Sequence, residues 1–269
     1  MKRILAFGFI CLALALVLSR CDLVNGGPPI EVGVATASDT TVTVFWSAPA
    51  NGTPDAYLVY FMPVNEHSFA PVAETEDTSY VHKPHGVTGT YKVLAKFGSE
   101  TFDSQDRPGT VPWFADTMSV GELNSGYKPG YGWSRSGPGA VTYQMDLVGN
   151  AYDVDFYITD MAVGSAGPVY KIASPDLGPA DPGGTVQPAA WRVTGFYIPV
   201  IYENDPLPRF DEFTYLDQQD LTVLPLAIGV HTEDGHYGLV KVLDVDSAAG
   251  RVLLKSWLQP LAGLRLIKH

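Results

Sequence analysis

The sequence predicts an all-β chain: two antiparallel, sheet-built units behind an export leader. Three observations carry that reading. Glycine and proline are abundant, with 27 and 21 copies among 269 residues. Runs rich in β-branched and aromatic residues alternate with a period of two, the repeat of a strand with one face in a core. No long segment repeats its apolar residues at helical spacing. The chain also exceeds one modal domain of about 100–150 residues, so two domains are expected.

The leader comes first. Residues 1–21 read MKRILAFGFICLALALVLSRC. Lys2 and Arg3 give a positive start, Ile4 to Leu18 an uncharged apolar stretch, and Cys21 follows Leu18-Ser19-Arg20, the order of a secretory signal. The apolar stretch falls short of the roughly 20 residues of a membrane-spanning helix. Residues 1–20 are therefore expected to be a signal peptide. Cys11 leaves with it, so the mature chain keeps Cys21 alone and forms no internal disulfide. A lone thiol at the new N-terminus of an exported chain resembles a bacterial lipoprotein, which implies lipidation of Cys21 and a membrane partner held through that lipid. Arg20 stands where such boxes usually carry a small residue, and ordinary cleavage after Ser19 is the alternative. Either route delivers the chain to the cell envelope: lipid-anchored on the outer face of a membrane, or periplasmic or extracellular.

Charge narrows the partners. The formal net charge is −12, and losing Lys2, Arg3 and Arg20 with the leader makes it more negative. Nucleic acid and anionic headgroups both select basic patches and are excluded as partners.

Residues 21–29 form a turn-rich tether, and strand signals then begin. Val42, Val44 and Trp46 alternate with Thr41, Thr43 and Phe45. The turn formers Pro49 to Pro54 follow, then Tyr57 to Phe61, Tyr80-Val81 and Tyr91 to Ala95. Short strands at this spacing imply a β-sandwich. These residues resemble a fibronectin type III module over 30–105, in "TTVTVFWSAPANGTPDAYLVYF" and "TSYVHKPHGVTGTYKVLAKFGSETFDS". Trp46 matches the family's core tryptophan and Pro49 the proline after it. Tyr57, Val59 and Tyr60 match the third strand, and Tyr91, Val93 and Ala95 the penultimate strand with its tyrosine corner. The resemblance implies a spacer or protein-contact role. His82 and His85 lie in a loop without a nearby cysteine or carboxylate and read as solvated, since zinc typically takes four ligands.

Residues 106–112, within SQDRPGTVP, read as a linker of polar residues, proline and glycine. Residues 113–269 are expected to form the second β-rich domain. Val141 to Leu147 and Tyr152 to Thr159 read as an antiparallel pair across Gly149-Asn150. Trp191 to Glu203 reads as a strand interrupted by Pro199, which points to an edge or bulge. Leu226 to Thr232, Tyr237 to Val245 and Arg251 to Leu258 form a meander, its first turn an Asp234-Gly235 type I′ signal. Leu239, Leu243 and Val245 share one parity and Val240 and Val242 the other, so burial by a second sheet is expected. "HTEDGHYGLVKVLDVDSAAGRVLLKSWLQP", with "YDVDFYIT" upstream, is faintly similar to HmuY-like exported lipoproteins, and no haem ligand of that family transfers to a position here.

Four constellations carry chemistry. Tyr127, Tyr131 and Trp133 lie on a Gly/Pro-rich loop and are the candidate ligand-binding residues, because exposed aromatics present flat apolar faces to a protein or glycan. His231 and His236 beside Glu233 and Asp234 offer metal-ligating groups, although a hairpin turn is polar by default. Asp211, Glu212, Asp217 and Asp220 form an acidic loop, and Asp244 and Asp246 bracket a strand end. None has calcium-loop spacing. The chain lacks the Gly-x-Ser-x-Gly, His-Glu-x-x-His and P-loop motifs, so no catalytic residue, metal or cofactor is assigned. The expected function is a non-catalytic binding or structural role. The alternatives are haem or metal capture by the second domain, or a polysaccharide or peptide hydrolase accessory role.

Overall fold

The computed structural model describes residues 26–160, 169–180, 186–187, 189–197, 200, 203, 205–211 and 213–269. The leader, Cys21, Pro199 and Glu212 lie outside the described residues.

Seven strands build the first sandwich: β1 (Ile30–Ser38), β2 (Thr41–Ser47), β3 (Ala56–Pro63), β4 (Ala70–Thr75), β5 (Ser79–His82), β6 (Gly89–Phe97) and β7 (Glu100–Asp103). They form a three-stranded sheet β1-β2-β5 and a four-stranded sheet β4-β3-β6-β7, antiparallel throughout. Alternation along each strand sends one face inward. Val42, Val44 and Trp46 of β2 meet Tyr57, Val59 and Phe61 of β3 and Tyr91, Val93 and Ala95 of β6 in one core. The Trp46 and Tyr57 rings meet edge-on at 5.3 Å. The Tyr91 hydroxyl shares a 2.9 Å hydrogen bond with His82 Nδ1. A tyrosine corner bonds to backbone instead. His82 is thus half-buried against the core, not a solvated loop residue, and burial, with His85 nearby, lowers its pKa.

The linker residues are bound to that sandwich. Ser104 N donates to Val93 O, Tyr91 N to Pro108 O at 2.8 Å, and Thr110 N to Gly89 O at 2.8 Å.

The second unit comprises β8 (Trp113–Gly121), β9 (Gly130–Trp133), β10 (Ala140–Tyr143), β11 (Phe156–Thr159), β12 (Lys171–Ala173), β13 (Thr194–Tyr197), β14 (Gln218–Asp220), β15 (Leu226–Thr232), β16 (Tyr237–Asp246) and β17 (Arg251–Leu258). Two five-stranded sheets result, β10-β9-β11-β12-β14 and β13-β15-β16-β17-β8. Tyr131, Trp133, Phe156, Ile158 and Ile172 of the first pack on Phe196, Ile228, Val230, Val240, Val242 and Leu254 of the second.

Several expectations change here. The strand at 140–143 folds back on β9 and does not pair with β11, because β9 lies between them. Gly132 permits this: a Cβ there would stand 1.8 Å from the Asp153 carbonyl oxygen. Gly149-Asn150 belongs to a 3₁₀ turn, not a hairpin. Gly235 has φ +82°, but Asp234 is not among the positive-φ residues, so the β15–β16 turn is not type I′. A bulge between Val242 and Asp244 reverses the parity of β16. Val245 therefore joins Val240 and Val242 on the inner core, while Leu239 faces the outer side. Irregular chain covers that side, contributing Leu207, Tyr215 and Ile267, where a second sheet was expected.

The last residues return to the first sandwich. Leu264 and Leu266 are fully buried in its core. Between them, Arg265 N donates to Asp39 O at 2.8 Å, and Arg265 Nε lies 3.1 Å from the Asp39 carboxylate. Gln259 is wholly buried at the joint. Its Nε2 donates to Thr110 O at 3.0 Å and Leu266 O at 2.7 Å, and its Oε1 accepts from Leu261 N. Linker and tail meet on this one side chain, just after β17.

Candidate binding site

Of the strand expected over 191–203, only β13 (Thr194–Tyr197) forms among the described residues; it ends its sheet, and its outer face carries a cleft of about 340 Å³. Gly195 forms the floor, with Val193, Phe210, Tyr215, Leu216 and Asp217 around it. A Cβ on Gly195 would stand 2.9 Å from Tyr215 Cβ and 3.0 Å from Phe210 Cε2. The missing side chain lets Tyr215 and Phe210 close onto the strand.

The walls are fixed by hydrogen bonds. The Tyr215 hydroxyl donates to Pro208 O at 3.0 Å, and Phe210 N donates to the Tyr237 hydroxyl at 2.9 Å. The Asp211 carboxylate accepts from Phe213 N at 2.8 Å and from Thr214 N at 3.2 Å, closing the turn between the two walls. Opposite Gly195 in the register stands His231, whose ring stacks on Phe210 with centroids 4.1 Å apart. Burial lowers the His231 pKa, opposed by the Asp234 carboxylate and reinforced by His236. Apolar surface nonetheless stays in water: Phe213 is 88% exposed, Val193 54%, Leu216 53% and Phe210 40%. Val193, Phe210 and Leu216 line the cleft, and Phe213 lies in the turn closed by Asp211.

The candidates read from sequence are placed differently. Tyr131 and Trp133 are not loop residues. They sit on β9, fully or nearly fully buried, stacked and edge-on around Phe156. Ser256 holds both polar ends, 2.6 Å from the Tyr131 hydroxyl and 2.8 Å from Trp133 Nε1, which is how buried tyrosine and tryptophan satisfy their polar atoms. Tyr127 alone is exposed, at 56%, so the three do not share a surface. His236 Nδ1 pairs with Gln259 O at 2.8 Å, while His231 stacks on Phe210. Among the described residues no group of three or more His, Cys, Asp or Glu is placed to hold a metal ion.

The second concentration of chemistry is ionic. Asp155 is completely buried. It accepts from Trp133 N at 2.9 Å and from both terminal nitrogens of Arg135, at 3.1 and 2.5 Å. Arg135 Nε also pairs with Asp234 at 2.9 Å. Arg192 lies 3.3 Å from Asp155 and 2.8 Å from Asp234, yet its Nε and Nη2 make no hydrogen bond. Its charge is near the carboxylates, but its N–H groups are not aimed at them. Burial raises the Asp155 pKa against the pull of Arg135, the Trp133 N–H and Arg192. For Asp234 burial is outweighed by the Thr232 hydroxyl and the two guanidiniums, and its pKa is lowered. The network ties β9, β11, β13 and the β15–β16 turn together and leaves no unpaired carboxylate there for chemistry.

No family model and no curated protein matches this sequence. Among solved structures it is similar to titin kinase and its flanking domains, at 20% identity over 32% of this chain and 17% of that one, TM-score 0.29. It is similar to a Fn3-like protein from Clostridium thermocellum, at 17% identity over 32% of this chain and 91% of that one, TM-score 0.28. It is also similar to a two-domain fibronectin type III segment of chicken tenascin, at 13% identity over 86% of this chain and 98% of that one, TM-score 0.27. This chain thus spans 17% of the length of the titin structure. With TM-scores this low, the fold rests on the strand order above. By that order the chain is all-β, a fibronectin type III-like β-sandwich followed by a second antiparallel β unit.

Proposed function

We propose that this chain is an exported protein, anchored by a lipid on Cys21, that binds a partner or supports a surface without catalysing a reaction. The binding reading is carried by the outer face of β13, where Phe210, Val193 and Leu216 keep apolar surface in water, with the exposed Phe213 on the adjoining turn. Folding gains nothing from leaving these side chains exposed, and a partner covering them would recover the cost. Supporting it, the cores of both sandwiches are filled by side chains of this chain, the C-terminal tail included, and the buried carboxylate Asp155 is neutralised by guanidiniums. The anchoring reading rests on the leader that ends at Cys21.

Metabolic labelling with palmitate tests the anchor. The wild-type chain is expected to incorporate label and the Cys21→Ser chain to incorporate none. No label in the wild type, or equal label in the variant, refutes lipidation at Cys21.

A further inference from the structure

The cleft on β13 has a charge as well as a shape. Its lining holds no basic side chain. The basic groups on neighbouring segments are committed elsewhere: Arg209 and Arg265 to Asp39, Lys171 to Asp220, and Lys241 to Glu203. Asp217, by contrast, has no ion pair among the described residues. Asp211 accepts backbone N–H groups but likewise pairs with no cation among them. The cleft is therefore an apolar slot whose lining carries one carboxylate, Asp217, without an ion pair among the described residues.

We infer that this cleft docks a basic segment of a partner protein, with one lysine or arginine entering beside the exposed part of Phe210 toward Asp217 and neighbouring apolar residues covering Phe213 and Leu216. The inference rests on the binding reading above and names its occupant. A cation is attracted to an aromatic face, and a long basic side chain lays its methylenes on apolar surface while its head reaches a carboxylate. The volume, about 340 Å³, lies at the small end of ligand pockets, roughly 300–1,000 Å³, and suits one or two side chains. A strongly exposed phenylalanine suits a protein surface, where aromatic residues are enriched at interfaces. It offers no hydrogen bond to a sugar hydroxyl. The whole-chain charge of −12 steers a basic partner inward.

The test uses the full-length chain in detergent and two fluorescein-labelled peptides, one alternating lysine and leucine, the other glutamate and leucine, read by fluorescence anisotropy. The lysine peptide is expected to bind and the glutamate peptide not. Asp217→Lys and Phe213→Ser are each expected to weaken binding about tenfold. Asp116→Lys, the same charge change on β8, is expected to leave it unaltered. Binding of both peptides, binding of neither, equal loss in Asp116→Lys, or displacement by maltoheptaose overturns the assignment. Unchanged affinity in both cleft variants overturns it too. Palmitate labelling of Cys21 reads independently of this cleft, so failure here with labelling intact removes the docking site and not the anchor.

Discussion

Replacing Leu264 and Leu266 by alanine is expected to unfold the first sandwich at lower urea, although both residues lie more than a hundred positions beyond its last strand. Each side chain is fully buried in a core otherwise built from β1, β2, β3 and β6. Deleting a buried leucine costs about 2–5 kcal/mol, depending on how far the site collapses. The two sites are neighbours, so the double change need not equal the sum. Trp46 is the natural reporter, because it sits in the same core, whereas Trp133 reports the second unit. Fluorine NMR of fluorotryptophan-labelled protein separates them. The Trp46 resonance is expected to lose its native position at clearly lower urea in the double variant. An unchanged Trp46 midpoint would show that the tail is an ornament on the first sandwich.

Asp155→Ala is the second large effect, expected at about 3–5 kcal/mol, the range for breaking a buried ion pair by removing one partner. The substitution strips the Trp133 N–H of its acceptor and leaves Arg135 and Arg192 sharing Asp234 alone. Arg192→Met is expected to cost less, because two of the Arg192 nitrogens make no hydrogen bond to lose. Urea unfolding of the second unit measures both. A loss below about 1 kcal/mol for Asp155→Ala would place the network with ordinary exposed pairs.

The regular strands were legible where one face is buried and the other wet. The burial of β2 alternates residue by residue, and the apolar pattern in Thr41 to Ser47 shows it directly. β15, β16 and β17 were found to within about a residue for the same reason. The parity of Val245 was not, because a bulge leaves no composition signal. The middle of the second unit resisted for a different reason. β9, β11 and β12 are three or four residues long and buried on both faces, so no alternation marks them. In β9 the glycines that read as loop are strand positions, with Gly132 pressed against the Asp153 backbone. That misplaced Tyr131 and Trp133 on a surface.

The cleft was hidden by its neighbours. Asp211, Glu212, Asp217 and Asp220 gave the segment an acidic character, and Phe210, Phe213 and Leu216 follow neither strand nor helix spacing. The usable signal was four large apolar residues between Phe210 and Leu216 on a stretch too polar to be core. The C-terminal return was fainter still. Leu264, Arg265 and Leu266 alternate, but for three residues only, and nothing local says which sandwich they enter.

Native-state hydrogen exchange at the Arg265 amide tests the union of the two sandwiches most directly, because this N–H donates across the joint to the Asp39 carbonyl. The expected result is exchange as slow as that of the β6 amides, released only when the first sandwich unfolds. Rapid exchange at Arg265 under conditions that leave β6 and β16 protected would contradict it, and would show the tail detached from a first sandwich that stands without it.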